Sequence, residues 1–267
     1  MTHHDYRSSD GVALVYDETG PADGAVLVLC HGLAAQAAQF AADADYFAGL
    51  GYRVLAPDVR GHGRSGSPVP LAAAGFSIER LAADMIEMLD HAGAERVHWV
   101  GNSLGGIVAL RLLASGRLKT LATFGTSYRI ALPRIGGHHL VTAGHAVLGR
   151  TAIAALTARM TSRDPAARAL IERMLLEARP EVTAMLAGVL TQYDLIGEAV
   201  ASEVPILLLR GGRDGLVNAG LGPTLAAMRG RPNFRLVDLP QGGHCANLDA
   251  TEEFRAAVLK FWRLLPR

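Results

Sequence analysis

Residues 97–106 read V-H-W-V-G-N-S-L-G-G, and the parsing of this stretch decides the fold. It opens as an apolar run, passes through Gly101-Asn102-Ser103-Leu104-Gly105, and continues into the apolar, helix-like segment 107–114. That succession predicts a strand, a sharp turn and a helix, with Ser103 at the tip of the turn. Such a turn strains the backbone of its central residue and needs small neighbours, which Gly101 and Gly105 supply. Upstream, residues 25–30 (A-V-L-V-L-C) form a short continuous apolar run that fits a strand buried on both faces. Residues 40–50 read as a helix closed by Gly51, and 52–56 as another strand. Ser77 is an N-cap candidate, with Phe76 and Leu81 as a hydrophobic staple. The helix it starts places Ile78, Leu81, Met85, Met88 and Leu89 on one face and ends at His91-Ala92-Gly93. Residues 118–124 read as a further strand. A hairpin turning at Ser9-Asp10-Gly11 into a strand over 12–16 precedes all of these. Alternation of strand and helix implies a parallel sheet with helices on both faces.

The alternation stops near Ser127. From there to Ala201 no strand is legible, and residues 152–160, 165–178 and 180–193 read as helices, with Pro165 and Pro180 in first turns where proline is tolerated. Alternation then resumes: a strand over 204–210, a helix over 219–228 and a last strand over 234–239. Asp249 reads as the N-cap of the final helix with Glu252 as its capping-box partner, and Phe254, Val258, Phe261, Trp262 and Leu265 as the buried stripe. No internal repeat or low-complexity linker interrupts the chain.

Composition narrows the class. The 267 residues suit one α/β domain with an insertion, and half of them are apolar, enough for a sizeable core. A formal net charge of +1 makes no electrostatic case for nucleic acid or an anionic membrane surface as partner. Lys119 and Lys260 are the only lysines, and the arginine- and alanine-rich usage reads as compositional bias. Two cysteines, Cys30 and Cys245, are too few for a disulfide framework and read as packed thiols. The polar start M-T-H-H-D-Y-R-S-S-D has no apolar signal-peptide core, and no apolar run reaches 18 residues, so a cytoplasmic location is expected. His3, His4, His91, His98, His138, His139 and His145 have no metal-site spacing, and no P-loop or G-x-G-x-x-G phosphate loop is present. No metal or cofactor is expected.

The G-x-S-x-G context at Ser103, between a strand and a helix, resembles the nucleophile elbow of the α/β-hydrolase family. The resemblance covers nearly the whole chain. It implies a mostly parallel eight-stranded sheet with helices on both faces plus a helical cap: a core of residues 1–126 and 202–267, and a cap, or lid, inserted at 127–201. An ordinary run of surface helices, with Gly136-Gly137 a plain loop, is the competing view of that insertion. Family members carry a serine, an acid and a histidine in that order, each on a loop after a strand. Asp214 follows the strand over 204–210, and His244 stands in G-G-H after the last strand. Ser103 as nucleophile competes with a plain helix N-cap, Asp214 as acid with a turn-forming aspartate, and His244 as base with a surface histidine. Asp238, inside a strand, and Asp249, a cap, are weaker acids. Many relatives have a proline a few residues after the acid, where Asn218 stands here.

His31-Gly32-Leu33 matches the family's oxyanion loop, so the N–H groups of Leu33 and Leu104 are the candidate oxyanion donors, His31 tying the loop down. Residues 58–65 (D-V-R-G-H-G-R-S) resemble a family segment in which Arg60 and His62 are expected to make buried structural contacts. Tyr128 and Arg129, at the entry to the insertion, are candidate substrate contacts. Leu132, Leu140, Val147, Leu186, Leu190 and Tyr193 line a pocket or, on the favoured reading, form the cap's own core. The motifs look most like bacterial carboxylesterases and enol-lactonases, which implies hydrolysis of a small-molecule ester or lactone through an acyl-enzyme on Ser103. Dehalogenases and epoxide hydrolases use an aspartate at the elbow, which Ser103 argues against. Carbon–carbon bond hydrolases of the meta-cleavage type share G-N-S-x-G-G but usually carry a longer glycine-rich oxyanion loop and a tryptophan where Cys245 stands. The motifs are also compatible with a cofactor-free perhydrolase or dioxygenase, and with a ligand receptor that keeps the triad without turnover.

Overall fold

The computed structural model describes residues 1–131 and 137–265, the side chains of 137–148 excepted. Eight strands form one sheet: β1 (Thr2–Arg7), β2 (Ala13–Thr19), β3 (Val26–Cys30), β4 (Arg53–Asp58), β5 (Val97–Asn102), β6 (Leu118–Phe124), and, after a two-stranded ribbon described below, β9 (Ile206–Gly211) and β10 (Phe234–Leu239). Their order is β1-β2-β4-β3-β5-β6-β9-β10. Only the β1–β2 and β2–β4 pairings are antiparallel; β4, β3, β5, β6, β9 and β10 run parallel. This is the mostly parallel α/β sheet expected from the sequence, and it brings the loops after β3, β5, β9 and β10 to one end.

The central strands are apolar throughout because both faces are covered, and period-two alternation sends neighbouring side chains to opposite layers. Val28 and Cys30 of β3, with Ile206 and Leu208 of β9, join one cluster; Leu27, Leu29, Leu207 and Leu209 join the other. The first layer packs against α2 (Ile78–His91) and α3 (Leu104–Arg111), through Leu81, Met85, Met88, Ile107 and Val108. The second packs against α1 (Ala41–Gly49) and the last helix, through Phe47, Phe254, Val258 and Trp262. Ser77 caps α2 as read, its hydroxyl accepting from the Arg80 N–H at 3.2 Å.

Between β6 and β9 lie β7 (Arg129–Ala131), α4 (Gly137–Thr161, kinked at Gly149), α5 (Pro165–Glu177), α6 (Pro180–Val189), β8 (Gln192–Asp194) and α7 (Ile196–Ala201). The strand pair corrects the expectation of none in this segment: Arg129 pairs with Asp194 and Ala131 with Gln192 in an antiparallel ribbon at the base of the insertion. Three residues are too few for alternation to register as a pattern. For the same reason the helix expected over 180–193 stops at Val189. The helix expected over 219–228 is two, α8 (Gly215–Gly220) and α9 (Gly222–Met228). Asp249 is not the final cap. It ends the short α10 (Ala246–Asp249), and α11 (Thr251–Arg263) starts from Ala250 without a side-chain cap. None of the described helices is long and apolar enough to cross a membrane.

Residues 58–65 make the buried contacts expected of them. Arg60 is fully buried and uses all five N–H groups. It makes paired bonds of 2.7 Å to Asp84, paired bonds of 2.7 and 2.9 Å to Asp10, and one of 3.0 Å to the Gly75 carbonyl. This knot ties the first hairpin and α2 to the loop after β4. Removing the cation strands a buried carboxylate, so Arg60→Ala is expected to cost about 3–5 kcal/mol in urea unfolding. Arg60→Ala/Asp84→Ala together should cost less than the sum of the two single changes.

His62 and His98 give the fold an acid sensitivity. Burial, with His31 beside it, holds the His62 imidazole down to about 3 from its ordinary 6.5, and burial pushes His98 down to about 4. Between these values and 6.5 the unfolded chain binds protons that the folded chain refuses, so stability falls as the pH drops through that window. Urea midpoints should therefore decline steadily from about pH 6.5 to about pH 4, and His62→Gln should reduce the slope.

Candidate functional site

Ser103 stands at the end of β5 with φ 47° and ψ −111°, one of two non-glycine residues with positive φ among those described. The turn is held by the Ser103 N–H donating to the Phe124 carbonyl at 2.9 Å, and by the Gly106 and Ile107 N–H groups donating to the Ser103 carbonyl at 3.0 Å. Its crowding explains the flanking glycines. A Cβ at Gly105 would strike the Cys30 carbonyl of β3, and one at Gly101 would meet the Gly105 backbone at 2.5 Å. The Ser103 hydroxyl caps nothing in α3 and has no hydrogen-bond partner among the described residues. The helix-cap role for this serine is therefore removed.

Asp214 and His244, 30 residues apart, meet: His244 Nδ1 lies 2.8 Å from Asp214 Oδ2. Asp214 Oδ1 accepts from the Val217 N–H at 3.3 Å, which makes the aspartate the N-cap of α8 as well. An ionised carboxylate requires a donor opposite it, so Nδ1 carries the proton and Nε2 is left with its lone pair. His244 is brought to the elbow by two contacts. Its carbonyl accepts from Asn102 Nδ2 at 2.9 Å, and its ring lies over Gly125, where an added Cβ would meet His244 Cε1 at 3.1 Å.

The partners of the buried aspartates set one of them apart. Asp43, Asp58, Asp84 and Asp214 are the buried aspartates among the described residues. Asp43 faces Arg255, Asp58 faces Arg64, and Asp84 faces Arg60 and Arg80. Asp214 has His244 as its ion-pair partner and no arginine or lysine. A carboxylate kept in a dry place without a permanent cation is costly. Here an imidazole stands where the other three have a guanidinium.

Leu104 opens α3, so its N–H has no acceptor within the helix and points from the helix N-terminus. The loop after β3, which carries Leu33, lies against the elbow: a Cβ at Gly32 would meet Asn102 Oδ1 at 2.8 Å and Ser103 Cβ at 3.4 Å. His31 ties that loop down as expected, Nδ1 donating to the Gly32 carbonyl at 2.7 Å and Nε2 accepting from the Val59 N–H at 3.0 Å. Burial holds its imidazole below the usual range, so it stays neutral.

Three buried residues that the sequence reading passed over support these loops: Gln39, Asn247 and Asp43. Gln39 Oε1 accepts from the Gly32 N–H at 3.2 Å, while its Nε2 donates to Asn102 Oδ1 at 2.9 Å. Asn247 Nδ2 donates to the Gln39 carbonyl and to Asp43 Oδ2. Their partners lie 63 and more than 200 positions away, and no local pattern marks them.

Tyr128 is a correction. It is fully buried, with its hydroxyl 3.1 Å from Thr123 Oγ1, and offers nothing to a substrate. The aromatic body fills the first core layer and the hydroxyl finds an internal partner, as buried tyrosines do. Arg129 is half exposed and faces Asp194 across the β7–β8 ribbon. Leu186 is buried in the first core layer, and Leu190 and Tyr193 pack on it; Leu132 and Gly136, and the side chains of Leu140 and Val147, lie outside the described residues. Cys30 and Cys245 are free, buried thiols whose ionisation burial pushes up. Among the described residues no three His, Cys, Asp or Glu side chains converge as a metal site. A groove of about 820 Å³ beside Arg96, Lys119, Glu198 and Pro205 opens at the amino ends of β6 and β9, away from Ser103.

Comparison with known proteins agrees with this architecture. Residues 21–250 match the family model described as "Serine aminopeptidase, S33". A putative carbamate hydrolase, RutD, from Stutzerimonas stutzeri is 29% identical over 89% of this chain and 91% of its own length. Epoxide hydrolase A of Mycobacterium tuberculosis is 38% identical over 47% of this chain, and the match spans only 38% of that enzyme's length. Among solved structures, a hydrolase from Pseudomonas aeruginosa superposes with a TM-score of 0.85 at 27% identity, covering 98% of both chains. The enol-lactonase of Burkholderia xenovorans shares the fold with a TM-score of 0.84 at 23% identity, covering 97% of this chain and all of that one. A serine on a strained strand-to-helix turn at the carboxyl end of a parallel sheet, and a family match over most of the chain, lead to one assignment: the protein belongs to the S33 serine aminopeptidase family of α/β-hydrolases.

Proposed function

We propose that the protein hydrolyses carboxylic esters or lactones of small molecules through an acyl-enzyme on Ser103, with His244 as the general base and Asp214 as its orienting acid. The observation that carries this reading is the buried Asp214 carboxylate, paired with His244 at 2.8 Å and with no arginine or lysine. Serine is a poor nucleophile unless a base removes its proton as it attacks. His244 Nε2 takes the Ser103 proton as Oγ bonds to the substrate carbonyl carbon, and Asp214 stabilises the imidazolium that results. The tetrahedral oxyanion is met by the N–H groups of Leu104 and Leu33. The imidazolium then gives its proton to the departing alkoxide, or to the ring oxygen of a lactone. Water, deprotonated by the same imidazole, attacks the acyl carbon and releases the acid with Ser103 restored. Among the described residues Ser103 and His244 are not hydrogen-bonded to each other, and such bonds are often loose before substrate arrives.

Residues 127–201 are proposed as the cap over this site, with Arg129 as a substrate contact at its entry. The relative named as a carbamate hydrolase favours a second substrate class, because a carbamate carbonyl is open to the same serine attack. A serine alkoxide acts on carbonyl carbon, so esters, lactones and carbamates belong in one screen and carbon–carbon cleavage substrates serve as its contrast.

Steady turnover of short-chain p-nitrophenyl esters or of small lactones is expected. Ser103→Ala should lower kcat by about 10⁵–10⁶-fold. A stoichiometric burst without turnover, or turnover indifferent to Ser103→Ala, would overturn the reading. Asp214→Asn should keep the fold and lower kcat on the order of 10⁴-fold, because the amide pairs with the wrong imidazole tautomer. Circular dichroism and steady-state kinetics on the same samples check both halves of that expectation.

A further inference from the structure

The loop that carries His244 is gripped from the inserted helical segment as well as from the sheet. Its three central residues each touch the junction between α4 and α5 or the carboxylate bonded to it. The Gly243 N–H donates to Asp249 Oδ2 at 2.9 Å, and the other oxygen of that carboxylate accepts from the Ser162 hydroxyl. The His244 N–H donates to the Thr161 carbonyl at 3.3 Å. Cys245 packs in a small apolar cluster with Ala158 of α4 and with Ile171 and Met174 of α5. The fit leaves no slack: a Cβ at Gly243 would strike the Thr161 carbonyl and lie 2.5 Å from Asp249 Oδ2. On the opposite side the His244 carbonyl is held by Asn102.

We propose that Asp249 is a positioning residue: by bridging Ser162 and the Gly243 N–H it locks the histidine loop onto the α4–α5 junction, so that the seating of the helical segment sets the aim of His244. The proposal rests on the reading of His244 as the base. Asp249 belongs to the core sequence after β10, whereas Thr161 and Ser162 lie 83 and 82 residues before His244 (244 − 161 and 244 − 162). The carboxylate is the only group among these that bonds to both segments through its own side chain. With the peptides on both sides of His244 pinned, the ring has one freedom left, rotation about its side-chain bonds, and the Asp214 contact removes it. Loss of the bridge frees the Gly243–His244 peptide to tilt, and misplacement by about 1 Å is enough to cost on the order of 10²-fold in rate.

The test compares Asp249→Ala, Asp249→Asn and Ser162→Ala in the intact protein, with Glu87→Ala as a control that removes the remote contacts of Glu87 to Ser9 and to Arg80. Asp249→Ala is expected to lower kcat about 10- to 100-fold, with KM changed less than about threefold. Asp249→Asn should recover most of the loss, because an amide accepts from Gly243 and donates to the Ser162 oxygen. Ser162→Ala should fall between. Hydrogen exchange, followed by mass spectrometry, should accelerate in Asp249→Ala over residues 240–246 and 159–163 together, and in Glu87→Ala over neither. Unchanged kcat in Asp249→Ala, or a loss that follows the thermal midpoint equally in Glu87→Ala, would overturn the positioning role. If the wild-type protein turns over no ester, lactone or carbamate, the proposed reaction fails. The exchange measurement still decides the bridge, since unaltered protection in both segments of Asp249→Ala would refute it.

Discussion

The side-chain amide of Asn102 is the contact on which the geometry of this sheet end depends. Four loops converge there, after β3, β5, β6 and β10, and their backbone groups are cut off from water without a strand or helix to pair with. A buried polar group left unpaired costs about 1–3 kcal/mol, so these loops hold only if each group is answered. Asn102, fully buried beside the serine, donates to the Phe124 and His244 carbonyls and accepts from Gln39, which in turn binds the Gly32 N–H. One planar group therefore sets the spacing of the loop after β3, the turn at Ser103 and the histidine loop. Behind it Asn247, Asp43 and Arg255 extend the same network to α1 and α11, so that the loops rest on the packed helices rather than on each other.

The strain at Ser103 is tolerated because of that support. A non-glycine residue with positive φ costs on the order of 1–3 kcal/mol and persists only where its surroundings over-determine it. Here the constraints come from both sides of the turn: the Phe124 carbonyl binds the serine N–H, the Gly106 and Ile107 N–H groups bind its carbonyl, and Trp99 Nε1 binds the Gly105 carbonyl at 3.1 Å. The consequence is exposure of the side chain. In a relaxed cap the hydroxyl would fold back on the helix and commit its lone pairs there; on this turn it is left free.

The parts of this arrangement that are legible in the sequence are those governed by local rules. Apolar runs mark β3, β5, β6 and β9 because both faces of each strand are covered, and Ser77 announces α2 because an N-cap needs only the N–H three residues on. Ser103, Asp214 and His244 are found through motif and chain order, which encode the topology of a parallel sheet. What escapes is set by distant partners. Gln39 and Asn247 look like ordinary surface polar residues until residues some 60 to 200 positions away bury them. Asp249 carries a convincing local signature, an acid three residues before a glutamate, yet Ser162 and Gly243 claim its carboxylate. Tyr128 reads as a site residue by position alone, and the core takes it.

Charge placement sets Asp214 apart from the other buried ions at this end of the protein. Around the site, every other buried ion is compensated in the resting state: Arg60 by Asp84 and Asp10, Asp58 by Arg64, Asp43 by Arg255. His31 and His62 are kept neutral by burial, so neither adds a competing positive charge near the loop they brace. The one imbalance is Asp214, whose negative charge faces an imidazole rather than a fixed cation. An imidazole in that place keeps Nδ1 on the carboxylate and leaves Nε2 free, which is what the proposed serine chemistry requires of it.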